Sequence, residues 1–299
     1  MSFKRVNNIL NKIIIILVLL TISLYAKKEF IDNNKNEHEI KEEVNNTTFL
    51  EIYFFDVGQA DSILIKEKDY TMLIDAGNKK DGNNLVNYLS NELKIEDLDI
   101  LVGTHPHEDH IGGLSDVINN FKIKKLYLPN VTTTTKIFEN LLDSIEKNKL
   151  KITVPKIGEE IKLGNMNYEV IYTGTDENDL NSSSIVLKLS YFNTAYLFMG
   201  DATSEIEEKI LKKDIKADVL KVGHHGSNYS TKETFLNKVN PNYAIIQVGK
   251  NNLYNHPGKK TINKLKNIKI YRTDVDGTIK LTSDGKNINI ETLDTNLDG

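Results

Sequence analysis

Leu98-Asp-Ile-Leu-Val-Gly-Thr-His-Pro-His-Glu-Asp-His-Ile-Gly-Gly113 runs a short strand straight into a knot of histidines. Leu98–Val102 is an apolar run of strand length, the kind that is buried on both faces. His105, His107, Asp109 and His110 follow within six residues. In an extended loop, residues two apart project to the same side, so His105 and His107 reach one cation. Asp109 and His110 come where the chain turns into a helix and face a second cation nearby. Gly112-Gly113 permits tight backbone approach at that turn. Imidazole with carboxylate suits zinc, manganese or iron, and a position left open to water makes such a site catalytic rather than structural. A polar loop that merely caps a helix needs one such side chain, whereas three histidines and an aspartate together point to metal.

The other histidines strengthen this. Of seven in the chain, six fall at 105/107/110, 224/225 and 256, and only His38 stands apart. There is no cysteine, which excludes disulfides, thiolate nucleophiles, Cys-ligated zinc, iron–sulfur clusters and an acyl anchor on a cysteine. The formal charge is -4, and loss of a leader carrying Lys4, Arg5, Lys12 and no acid makes it -7. That balance argues against avid nonspecific grip on nucleic acid, although it leaves room for a local basic groove.

Outward from the knot, the periodicities predict one α/β domain over residues 49–299. Phe49–Phe55, Ser62–Lys66 and Tyr70–Asp75 read as a strand meander. Asn84–Leu93 has the apolar spacing of an amphipathic helix, and a second helix runs from about Gly112 to Asn120. Strands are expected at Lys124–Leu128, Tyr168–Tyr172, Ser184–Ser190 and Ala195–Met199, then a helix at Ser204–Leu211. Strands at Asp218–Val222 and Tyr243–Val248, a helix at Thr261–Leu265, and strands at Ile268–Tyr271, Gly277–Leu281 and Ile288–Glu291 complete the pattern. Two halves of strands followed by helices imply two sheets packed face to face with helices outside. Upstream, residues 1–26 combine Lys4 and Arg5 with the apolar run Ile13–Leu24 and read as a secretory signal peptide or an N-terminal anchor. Residues 27–48 are polar and read as a tether. The expected location is outside the cytoplasm, free or held to the outer face of the membrane through an uncleaved leader; oligomeric state is not legible.

His105-x-His107-x-Asp109-His110 resembles the signature of the metallo-β-lactamase superfamily. Phe55–Asp61, Leu73–Gly77, Phe198–Asp201, Leu220–Ser227, Asn251–Pro257 and Tyr271–Ile279 are similar, in order, to its ComEC-type branch, which is tied to DNA uptake. The resemblance spans residues 50–290 and implies a four-layer αβ/βα sandwich. It also implies roles: His105 and His107 on a first metal, Asp109 and His110 on a second, Asp201 bridging. Asp201 would otherwise serve as an N-cap for the helix from Ser204. One of His224 and His225 ligates the second metal, with His225 preferred although spacing does not separate them. The other binds a substrate oxygen or donates a proton. Asp109, His224 and His256 are thus the candidate catalytic groups, and Asp75 orients the metal loop from behind. Asp56, Gln59 and Asp61 take only structural roles.

The superfamily's usual third histidine on the first metal is missing, since no His lies between 110 and 224. Asn181-Ser-Ser-Ser184 occupies its place, so oxygen or amide donors substitute there or the first metal is weak. One or two ions, zinc or manganese, are expected. The resemblance implies an exported hydrolase that uses a metal-activated water on phosphodiester bonds in DNA or nucleotides, or on a small phosphoester. The negative charge favours a small or partly apolar phosphoester, or DNA presented by other machinery; the resemblance favours a nuclease. The alternative is a non-catalytic metal-binding accessory module of DNA uptake, against which the retention of Asp109, His110 and Asp201 argues.

Overall fold

A computed structural model describes residues 25, 27–29, 48–176 and 178–299. The expected leader and most of the tether lie outside these residues. The chain divides after Thr48, and Phe49–Gly299 forms a compact unit of its own. Among the described residues no helix is long and apolar enough to cross a membrane.

Strands β1 (Leu50–Phe54), β2 (Ile63–Glu67), β3 (Tyr70–Ile74), β4 (Asp97–Val102), β5 (Lys122–Tyr127) and β6 (Ile152–Thr153) open the body. Next come β7 (Glu160–Leu163), β8 (Met166–Tyr172), β9 (Val186–Tyr191), β10 (Thr194–Phe198), β11 (Val219–Lys221), β12 (Tyr243–Ile246) and β13 (Lys269–Arg272). The chain closes with β14 (Thr278–Ser283) and β15 (Ile288–Leu293). One sheet has the order β15-β14-β1-β2-β3-β4-β5-β6 and the other β13-β12-β11-β10-β9-β8-β7. Each begins as an antiparallel meander and continues in parallel: β3 pairs parallel with β4, and β10 with β11.

Alternation along the strands builds the layers, because successive side chains point to opposite faces. Ile52 and Phe54 join Met72, Val170, Leu187 and Phe198 in the core between the sheets. Tyr53 and Phe55 turn the other way, onto Leu85, Leu89, Leu114 and Leu141 of the outer helices. On the second sheet Leu197 and Leu220 face Ile206, Ile210, Phe235 and Val239. The result is the four-layer αβ/βα sandwich.

Some boundaries differ from the expectation. The helix foreseen from Gly112 to Asn120 is two pieces, Glu108–Ile111 and Leu114–Asn120. The break arises because Gly113 N–H leaves the helical ladder and donates to Gly77 O at 3.3 Å. A Cβ on Gly112 would overlap the Lys79 amide and one on Gly113 the Ala76 carbonyl, so the glycines let the 75–79 turn lie against the metal loop. The strand foreseen from Ser184 starts at Val186, since Leu180–Ser183 forms a 3-10 turn. A helix at Lys136–Lys147, N-capped by Thr135, was not anticipated, nor was Glu233–Val239.

Candidate metal centre

The histidine knot lies at the C-terminal end of β4, where a parallel strand hands the chain to a helix. β10, β11 and β12 end at the same edge of the other sheet, bringing Asp201, His224-His225 and the 249–257 loop opposite. Asp109, His110, Asp201 and His225 converge, with one donor atom from each lying within 4.8 Å of the others. His110 Nε2 is 3.3 Å from Asp201 Oδ1, and His225 Nε2 is 3.2 Å from Asp109 Oδ2 and 3.6 Å from Asp201 Oδ2. Asp201 Oδ2 is also 3.9 Å from the Nε2 atoms of His105 and His224. One carboxylate thus faces four imidazoles, as a bridging ligand would. It does not cap the following helix, whose N-cap is Thr203.

His110 Nε2 and Asp201 Oδ1 are buried and make no hydrogen bond. Leaving such groups unpaired is costly, and both aim at one point between them, so the donor set fits a divalent cation. Burial opposes charge on His110, yet Asp201, Asp75 and Asp109 together hold its pKa well above the ordinary value. For His225 burial likewise opposes protonation, but Asp201 and Asp61 push the pKa up to about 10. Asp201 resists burial and, beside His225 and His110, lies well below the usual carboxylate range. A field that stabilises two imidazolium charges is the field a dication needs, and its binding would release those protons.

The rest of the predicted set is distributed around this centre. His105 Nε2 and His107 Nδ1 are 3.0 Å apart, and neither belongs to the tight four-donor group on the Asp109/His110 side. Burial, then His110, lowers the pKa of His105. Asp75 sits behind His110, accepting from its Nδ1, from Thr104 N and from Thr104 Oγ1, each at 2.7 Å. Asn181 lines the cleft with a buried Oδ1 that has no hydrogen-bond partner, the place where a third imidazole is missing. The backbone separates the adjacent pair: His224 and His225 take φ of 53° and 51°, a left-handed conformation rare for side chains of this size. The twist carries His225 into the four-donor group and leaves His224 on the cleft wall. His256 stands beside them, 5.6 Å from the His224 ring, fixed by Asn252 through bonds to its N–H and carbonyl of 2.9 and 2.7 Å. Burial lowers the pKa of His224, and lowers that of His256 to about 4.

The cleft over the metal centre measures about 350 Å³. It continues into a depression of about 700 Å³ with Lys79, Lys80 and Lys250, and into another of about 640 Å³ with Lys259, Lys260 and Arg272. Tyr254, 70% exposed, stacks on His256 at 5.7 Å and lines both the cleft and the first depression. Sequence reasoning passed over Tyr254, Thr104, Asn252, Lys221 and Gln247. Tyr254 lay within a quoted motif, but a single exposed tyrosine gives no signal without its neighbours.

The family model for the "Metallo-beta-lactamase superfamily" matches residues 55–250. The chain belongs to the metallo-beta-lactamase superfamily. Within it, the chain is 35% identical over 191 residues to "ComE operon protein 3" of Bacillus subtilis (strain 168), covering 62% of this chain and 25% of that protein. It is 28% identical over 238 residues to "Recombination protein 2" of Haemophilus influenzae, covering 76% of this chain and 28% of the relative. These are ComEC-type competence proteins, and the chain spans only about a quarter of their length. Among solved structures, the metallo-beta-lactamase fold protein YhfI from Bacillus subtilis superposes with a TM-score of 0.53 at 11% identity, over 75% of this chain and 96% of its own. CmlA, a diiron beta-hydroxylase from Streptomyces venezuelae, gives 0.51 at 15% identity, over 79% and 54%. At such identities the likeness establishes the metallo-beta-lactamase fold and leaves the chemistry to the site.

Proposed function

We propose that the chain is an exported metal-dependent phosphodiesterase whose substrate is an extended strand, single-stranded nucleic acid being the best fit. The observation that carries this is the convergence of Asp109, His110, Asp201 and His225 at a cleft that shares lining residues with two further depressions. A zinc or manganese ion there would supply Lewis-acid charge stabilisation and lower the pKa of a water in its shell. Asp201 would hold the cation against four imidazoles, and Asp75 keeps His110 oriented with Nε2 forward. His105 and His107, with Asn181 Oδ1, offer a weaker position for a second ion. His224 and His256 on the wall present ring nitrogens where a phosphoryl oxygen would lie, suited to hydrogen bonding the substrate.

The flanks favour a strand over a compact ester. Lys250, Lys259 and Lys260 make no ion pair among the described residues; Lys250 lines the larger depression, and Lys259 and Lys260 line the other beside His256. Tyr254 offers a flat ring where the cleft meets the Lys250 depression. Aromatic stacking with flanking cations is how single strands are held without base readout. The formal charge of -4, or -7 once the proposed leader is lost, is a sum over the whole surface and does not describe this cleft. Export is supported by the basic and apolar character of residues 1–26.

The test is metal analysis of the purified chain, followed by turnover of bis-p-nitrophenyl phosphate and of single-stranded oligonucleotides with added Zn2+ or Mn2+. Metal-dependent cleavage of both is expected, abolished in His110→Ala with the fold intact. Bound metal without turnover of any phosphodiester would refute the enzyme and leave a metal-binding accessory module.

A further inference from the structure

We propose that Lys221 and Asp61 form a buried positioning relay that presents His225 to the metal. Lys221 ends β11 with 1% of its surface exposed. Its Nζ lies 2.6 Å from Asp61 Oδ2 and donates also to Val222 O at 3.2 Å. An ammonium survives so deep only when paired. Asp61, in the loop joining β1 to β2, is as deeply buried, and its second oxygen, Oδ1, makes no hydrogen bond. That oxygen is 3.4 Å from His225 Nδ1.

The consequences follow at the ring. His225 Nδ1 donates to Gln247 O at 2.9 Å, which fixes the tautomer and leaves Nε2 free for a cation. Asp61 then supplies negative charge behind the imidazole, on the side away from the metal, and strengthens it as a ligand. The Lys221 ammonium, 2.6 Å from the other carboxylate oxygen, supplies the counter-charge that such a buried carboxylate needs. The ion pair also anchors the carboxylate so that it stays behind the ring instead of swinging forward. The Asp61 backbone extends the device: its N–H donates to Asp109 O at 3.1 Å and its carbonyl accepts from Gly77 N at 2.9 Å. Asp75 does the same for His110, with Thr104 in place of the lysine. Asp61, Asp75 and His110 could themselves be taken for a cation cluster. The Lys221 ammonium already supplies the positive charge at Asp61.

A purely structural ion pair would tie one sheet to the other and affect stability alone. Positioning makes a different prediction, resting on the metal-site reading above. In the full chain, Asp61→Asn with Lys221→Met removes both charges together, so neither is left unpaired. Co2+ affinity and its visible spectrum are measured against wild type and against Lys188→Met, which breaks the remote Lys188–Asp214 pair. The double variant is expected to bind Co2+ about 10–100-fold more weakly, with altered bands, while Lys188→Met binds normally. Wild-type affinity and spectrum in the folded double variant would overturn the relay. Failure of the wild type to bind Co2+ would instead overturn the metal site itself. Should the double variant not fold, 113Cd2+-loaded wild type gives the answer by 15N NMR. Cadmium coupling to His225 Nε2 with Nδ1 protonated is expected, and coupling to Nδ1 would refute the arrangement.

Discussion

Asp201→Asn tests the metal centre through stability, without any assumption about substrate. The carboxylate lies 3.3 Å from His110, 3.6 Å from His225 and 3.9 Å from both His105 and His224. Asparagine keeps its size but removes the charge and turns an NH2 towards the cation. A ligand that binds only the folded state at a hundredfold excess over its Kd stabilises by about 2.7 kcal/mol. For a domain of this size each kcal/mol moves Tm by about 2–4 °C, so Zn2+ loading should raise the wild-type Tm by about 5–11 °C. Loss of outer-shell partners weakens metal sites by about 10–100-fold, and losing the central carboxylate should do at least as much. At the same Zn2+ concentration a variant weakened about 10–100-fold keeps a gain of only about 1.4 to 0.4 kcal/mol, or about 1–6 °C at about 2–4 °C per kcal/mol. The assay is a thermal melt of each protein with chelator and with Zn2+. Comparing each protein with its own chelated form cancels any direct effect of the substitution on the empty fold. A loading shift in Asp201→Asn equal to that of wild type would show that the cation binds elsewhere.

Gly113→Ala should lower the chelated Tm by several degrees, because its Cβ overlaps Ala76 O and overpacking costs about 1–3 kcal/mol. It should also weaken metal binding by displacing the turn that carries Asp75; a normal melt with normal metal content would refute that packing role. Tyr254→Ala should raise KM for a single-stranded oligonucleotide by about 5–150-fold, the worth of one base stack, while turnover of a small phosphodiester stays within about twofold. Tyr254→Phe should behave as wild type, and equal losses on both substrates in the alanine variant would refute a stacking platform.

What was legible in the sequence is what is local or periodic. The β-branched and aromatic run Phe49–Phe55 announces a buried strand, and the spacing within His105–His110 announces ligands because all of them lie on one loop. The helix Lys136–Lys147 escaped because its buried stripe is only Phe138, Leu141, Ser144 and Ile145 among Lys, Asn and Glu. The choice between His224 and His225 could not come from spacing, since the left-handed backbone of that turn settles which ring goes inward. Lys221 is the sharper case. In a linear pattern a lysine closing an apolar strand reads as a solvent-facing end. Its partner lies 160 residues earlier, in the β1–β2 loop of the other sheet. Only the packing of β11 against the β1–β2 loop turns that lysine from a surface residue into the counter-charge behind a ligand. The same holds for charge. Net charge is a sum over the surface, whereas Lys250, Lys259 and Lys260 stand in the depressions that adjoin the cleft. Where charges stand, rather than how many there are, decides what this cleft attracts.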